Sequence, residues 1–230
     1  MPQFSAAAAK PALEKPAHDP AAVVQHLTQE LRQPLGTVES IVHYLSLVLP
    51  RTEAKARRQL AKLQDEVRHM HWVLADALHY LQPTPPNLHL LDLTEVVSKT
   101  LSEWRTDQGA SLSLRLEPDL PLIELDLEQV EHLLRNIAAF FGRVAAPGRS
   151  VAVRTFRSPG EICLEVIAEA PQCSAEDLAP LFEPFGSQMP AGTGLALASA
   201  RRIAEAHRAR VETKFDPPRT LTLLISFPRP

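Results

Sequence analysis

The sequence predicts an α plus α/β architecture in which a helical hairpin, paired with a second copy as a dimeric four-helix bundle, precedes an α/β sandwich. Three observations predict it. Apolar residues recur at alternating spacings of four and three over residues 21–82, the proline-rich stretch 83–87 interrupts that pattern, and residues 88–230 alternate short strand-like runs with short helical ones. A chain of 230 residues also exceeds the roughly 150 typical of one domain, which points to two.

Residues 1–20 are rich in Ala and Pro and carry little apolar bulk, so they read as a flexible leader. Val24, Thr28, Leu31, Leu35, Val38, Val42, Leu45 and Leu49 then mark the seam of a first helix. Pro50 breaks it, and Leu60, Leu63, Val67, Met70, Leu74, Ala77 and Leu81 mark a second, ended by Pro83. Both helices carry further apolar residues off the seam, Leu27, Ile41, Tyr44 and Val48 on the first and Trp72, Val73 and Leu78 on the second. A lone hairpin leaves these uncovered, which is the reason for expecting a homodimer. A charge at Leu31 or Leu45 is expected to unfold such a bundle.

Beyond the linker the pattern reads as a strand near 88–92, a helix from an N-cap at Thr94 to Trp104, and strands at 110–116 and 122–125. Asp126 opens a helix to about Phe141, and alternating runs at 151–153 and 162–166 flank Ser158-Pro159-Gly160, a hairpin signal. A short helix at 175–182, a loop to Gly192, a helix over 194–207 and strands at 209–215 and 220–227 complete the sandwich.

Composition narrows the function. With 24 Lys and Arg against 27 Asp and Glu, the formal charge is −3, so no broad basic surface exists to hold nucleic acid. No apolar run is long enough to span a membrane, and the N-terminus lacks the basic and apolar regions of a signal peptide; a cytoplasmic protein is expected. The two cysteines, Cys163 and Cys173, fit neither a disulfide framework nor a C-x-x-C site. Only 8 residues are Gly while 21 are Pro, so glycine-rich loops are scarce.

Four motifs carry the chemistry. Residues 29–35 read Q-E-L-R-Q-P-L, which resembles the phosphoacceptor box H-E-L-R-x-P-L of the sensor histidine kinases. The stretch 126–136, D-L-E-Q-V-E-H-L-L-R-N, resembles their N-box, 181–185, L-F-E-P-F, their F-box, and 192–207, beginning G-T-G-L-A, their second glycine box. Order and spacing match as well, and the layout is also similar to that of kinase-like histidine phosphotransfer proteins. The resemblance implies a GHKL (Bergerat) ATPase fold for the second domain and a role in two-component signalling.

It also marks what has changed. In the family the histidine heading the first box accepts the γ-phosphoryl group of ATP, and Gln29 stands there. A carboxamide nitrogen has its lone pair delocalised into the carbonyl and is no nucleophile near pH 7, whereas neutral imidazole is. His26, one turn earlier, is either a displaced acceptor or an ordinary surface histidine. The family's first glycine box, D-x-G-x-G, falls at 168–172, where Ala168 replaces the adenine-binding aspartate and Ala170 and Gln172 replace glycines. Losing a hydrogen bond to a charged group weakens binding roughly ten- to hundredfold. Glu169 supplies a carboxylate there only if the strand register shifts by one.

In the N-box, Asn136 matches the family's magnesium ligand, while His132 replaces an asparagine; magnesium prefers oxygen ligands. Gly192 and Gly194, phosphate-cradling positions in the family, are retained. The resemblance thus implies no metal site and weak or absent binding of ATP and magnesium. Glu30, Arg32, Pro34 and Leu35 are intact in the region that docks a response-regulator receiver domain in the family. Gln33 takes the place of the polar residue that orients water onto the receiver's aspartyl phosphate. The expected function is receiver docking without autokinase activity. Alternatives are a receiver phosphatase using Gln33 and Glu30, or a phosphotransfer protein using His26.

Overall fold

The computed structural model of the protein describes residues 20–50, 52–102, 111–184, 194–216 and 219–229. Two long helices come first, α1 (Pro20–Val48) and α2 (Ala54–Leu81). Arg57 closes the turn between them by donating to the carbonyls of Leu49 (2.6 Å) and Pro50 (3.3 Å). The helices then run back along each other, and Glu39 reaches to 3.8 Å from His71. All but the last residue of the expected leader lies outside the described residues.

The intrachain seam is narrower than the spacing predicts. Thr28, Val42 and Val67 are each 1% exposed, and Thr28 satisfies its buried hydroxyl by donating to the Val24 carbonyl (2.7 Å). Leu31 and Leu45, expected in the same seam, are 46% and 37% exposed. A single partner helix covers only part of the face that a seven-residue repeat creates. The uncovered part, Leu27, Leu31, Ile41, Leu45 and Val48, forms an apolar stripe along α1.

Past the linker, β1 (His89–Leu91) pairs antiparallel with β3 (Ile123–Leu125) as a small ribbon. Between them in sequence lie α3 (Leu93–Leu101) and β2 (Ser111–Leu116). The N-cap of α3 is Asp92, whose carboxylate accepts from the amides of Thr94 and Glu95. Thr94 is not the cap: its hydroxyl donates instead to the Glu117 carbonyl (3.1 Å). The Trp104 end expected for this helix lies outside the described residues.

The main sheet has the order β2–β4–β5–β7–β6, with β4 at Ser150–Ser158, β5 at Glu161–Glu169, β6 at Arg210–Asp216 and β7 at Thr220–Pro228. Among the described strands of this sheet β2–β4 is the one parallel pair; β4–β5, β5–β7 and β6–β7 are antiparallel. The β4–β5 hairpin turns at Gly160, whose φ of +77° suits a residue without Cβ. Two helices, α4 (Leu127–Val144) and α5 (Ala196–Ala206), pack on each other over one face of the sheet. Leu133, Phe141, Leu164, Leu223 and Ile225 are buried at this layer.

Two helical expectations are corrected. The segment 175–182 is two 3₁₀ turns, Ala175–Asp177 and Ala179–Phe182, because Pro180 has no N–H to continue a single ladder. The last helix begins at Ala196, since Gly194 has φ +66°, outside the helical region. Among the described residues no helix is long and apolar enough to cross a membrane.

Candidate functional site

The α1 box lies on open helix surface. Gln29, Glu30, Arg32, Gln33 and Pro34 are exposed and Leu35 is half-buried. His26 and Glu30, one turn apart, approach to 3.3 Å with both side chains largely in solvent. Pro34 sits inside a continuous helix, although it removes one ladder bond and strains the preceding turn by about 3 kcal/mol in an ordinary helix. Gln29 and Gln33 are four residues apart and share a face.

The N-box residues are positioned by α4. Asp126 caps it, accepting from the Gln129 amide (3.0 Å), and also accepts from the Asn87 amide of the linker (2.7 Å). The backbone N–H of Asp126 donates to Nε2 of His207 (3.0 Å), so His207 carries its proton on Nδ1 and donates to the Ile203 carbonyl (2.8 Å). This exchange ties the start of α4 to the end of α5. Burial pushes the Asp126 carboxyl up, but hydrogen bonds from the Gln129, Asn87 and Glu128 amides outweigh it and hold the group below the usual carboxylate range.

One turn into α4, His132 and Asn136 converge on a residue of the other domain. Nε2 of His132 lies 2.7 Å from Oδ1 of Asp76 on α2, and Nδ2 of Asn136 donates to the same oxygen at 2.6 Å. Facing a carboxylate, His132 Nε2 is a donor. Asp76 is 3% exposed and Asn136 1%, while the Asn136 Oδ1 atom is buried without a hydrogen-bond partner. His79 of α2 stacks on His132 with ring centroids 4.6 Å apart.

The same interface extends along α2 in both directions. Arg143 of α4 lies 3.3 Å from both ring nitrogens of His69. Arg202 of α5 sits over the Tyr80 ring, 4.2 Å from its centroid, and donates to the Tyr80 carbonyl. His69, Asp76 and Tyr80 follow at intervals of seven and four, so one helical face meets the sheet domain while Val67 turns toward α1. Sequence reasoning missed Asp76. Its signal was a carboxylate between Val73 and Tyr80 on a side of α2 otherwise suited to burial.

At the first glycine box the register is unshifted: Ala168 pairs with Leu221 and Glu169 with Thr220. Ala168 and Ala170 are buried in the core, Gln172 is exposed, and the Glu169 carboxylate meets Arg149 at 3.2 Å. Gly194 precedes α5 in a left-handed conformation; Gly192 and Phe185 lie outside the described residues. The structure therefore brings His132 and Asn136 together with Asp76, whereas the α1 box forms a separate surface.

Residues 125–230 match the family model described as histidine kinase-, DNA gyrase B-, and HSP90-like ATPase. The chain is 26% identical over 198 residues to the sensor histidine kinase ZraS of Klebsiella oxytoca, covering 83% of this chain and 42% of that protein. Residues 125–230 thus carry a domain of that ATPase family, and the chain as a whole is similar to sensor histidine kinases. A second relative, the sensory histidine kinase/phosphatase NtrB of Salmonella typhimurium, is 27% identical over 206 residues, covering 83% of this chain and 57% of that protein. Full-length ShkA, solved in complex with AMPPNP, superposes with a TM-score of 0.70 at 19% identity, covering 90% of this chain and 46% of that one. The chain thus spans about half the length of these relatives. Like them, it carries a helical region followed by a GHKL-type α/β sandwich.

Proposed function

We propose that this histidine-kinase-like signalling protein docks a response-regulator receiver domain on its hairpin and has no autokinase activity. The observation that carries the reading is the α1 surface: Glu30, Arg32 and Pro34 are exposed around Gln29, a side chain that cannot accept a phosphoryl group on nitrogen. The docking residues and the missing nucleophile share one accessible helix segment. A second copy pairing along the exposed α1 stripe would complete a four-helix bundle.

The nucleotide site supports the same reading. Magnesium takes oxygen ligands, yet the N-box offers a histidine nitrogen and a single asparagine oxygen, which lies buried at the contact with α2. Ala168 presents a methyl group, buried in the core, where an adenine-binding carboxylate is needed. These residues do not fit a magnesium nucleotide.

The test is incubation with labelled ATP and magnesium, followed by binding to the receivers of the host. The expected result is no acid-labile phosphoprotein and at least one receiver bound, with binding abolished by Leu35→Glu because an apolar contact must then bury a charge. Label that vanishes in His26→Ala would instead establish a displaced acceptor. No receiver bound at all would remove the docking role.

The exposure of Gln33 on the Gln29 face favours receiver dephosphorylation as a second reading, since a carboxamide there can orient water. Gln33→Ala is then expected to leave affinity unchanged and slow the decay of an acyl-phosphorylated receiver. Equal decay with wild type, Gln33→Ala and no added protein leaves docking alone.

A further inference from the structure

We propose that Asp76 is an intramolecular latch, which holds the sheet domain shut against α2 by engaging His132 and Asn136 of the N-box. The inference stands on the interface itself and does not depend on receiver docking.

A carboxylate that is 3% exposed must be paired, because a buried charge without partners is strongly disfavoured. Both donors that reach Asp76 Oδ1 come from α4, across the Pro-rich linker, and none of the hydrogen bonds found for it comes from α1 or α2. The burial of Asp76 is thus conditional on the two domains being together. When they separate, Asp76 regains water, and so do His132 and Asn136. The cluster is a two-position device rather than a fixed part of either domain's core.

Its geometry also ties up both N-box side chains in the closed form. In the closed form the Asn136 amide nitrogen is taken by Asp76 and its amide oxygen is buried without a partner. An unpaired buried acceptor is a cost that opening relieves. The His79–His132 stack and the Arg202–Tyr80 contact flank the cluster and orient the docked helix. Closure is favoured by the charge-assisted pair and opposed by the orphaned oxygen, so the balance is sensitive to loss of one carboxylate.

The experiment is small-angle X-ray scattering of the full chain as wild type, Asp76→Ala, Asn136→Ala and the double variant, each checked for native circular dichroism. The wild-type profile is expected to fit the closed arrangement. Each variant should shift the closed-to-open ratio by about tenfold or more toward open, with a larger radius of gyration. The double variant should expand no further than Asp76→Ala, which already removes both contacts to the carboxylate. Arg202→Glu provides a variant at the exposed rim that does not disturb a buried site, and it should also favour opening. A wild-type profile that is already open would overturn the proposal. So would folded Asp76→Ala and Arg202→Glu proteins with wild-type profiles, since Asp76 would then not govern closure.

Discussion

Asp126 joins three segments through one residue: its carboxylate caps α4 and holds Asn87, while its amide engages His207. Asp126→Ala is expected to cost about 1–3 kcal/mol, read as a lower melting temperature at pH 7. The pH dependence has a definite sign. Because its carboxyl titrates below its unfolded value, Asp126 contributes stability above the unfolded pKa and loses it as pH falls through the lower folded one. Acid titration followed by circular dichroism should show a shallower loss below about pH 4 in Asp126→Asn, which keeps a capping side chain but cannot titrate. This cap was legible because capping is local: an aspartate, then an apolar periodic run. Asp76 was not, since its partner Asn136 lies 60 positions away and nothing in the α2 spacing says which neighbour supplies the donors.

The two long helices divide their surfaces differently, and each division yields a test. On α1, Val42 is buried by α2 while Leu31 is exposed. Val42→Asp should therefore unfold the hairpin, whereas Leu31→Glu should leave helicity intact and, if a second copy covers the stripe, convert a dimer to a monomer in sedimentation. That outcome replaces the unfolding expected from spacing alone. The α2 residues Trp72 and Val73, which spacing assigns to a dimer contact, lie on the face that carries His69, Asp76 and Tyr80. Periodicity reports that a face is apolar, not what covers it.

Docking of α2 should also respond to pH. Burial lowers the pKa of His69, helped by Arg143 and opposed by Glu66 and Asp76. Burial likewise lowers that of His79, helped by His132 and opposed by Asp76, Glu128 and Asp126. Both imidazoles bind protons more weakly when docked than when free. Closure is thus fully favoured above about pH 6.5 and weakens as pH falls below it. Scattering at pH 7.5 and pH 5.5 should show the more open form at the lower value, and no change between them would remove the histidines from the closure equilibrium.

At the scale of the molecule, the helical region and the α/β sandwich that follows it were legible, because each leaves a periodic signature of 3.6 or 2 residues. The strand order was not. Patterning marks Val151, Ile162 and Leu221 as buried but does not say that β2 runs parallel to β4, since strand pairing is a non-local choice. The core permits a direct test: Phe141, 0% exposed and edge-on to Phe140 at 5.5 Å, should cost about 3–5 kcal/mol on replacement by Ala, measured by denaturant unfolding.

The placement of β7 between β5 and β6 bears on synthesis. A strand near the C-terminal end of the chain sits inside the sheet, so β6, though made earlier, has no partner until β7 arrives. A ribosome that has released the hairpin, α4 and the β4–β5 pair still holds a sheet domain with an open edge along β5 and a bare β6. Hairpin formation can proceed early, because its contacts are local, whereas sheet closure waits for residues 220–228 to leave the exit tunnel. Nascent chains stalled after Asp216 should therefore show a protease-resistant hairpin and a sheet domain that is cleaved throughout, with resistance appearing only once Pro228 has emerged.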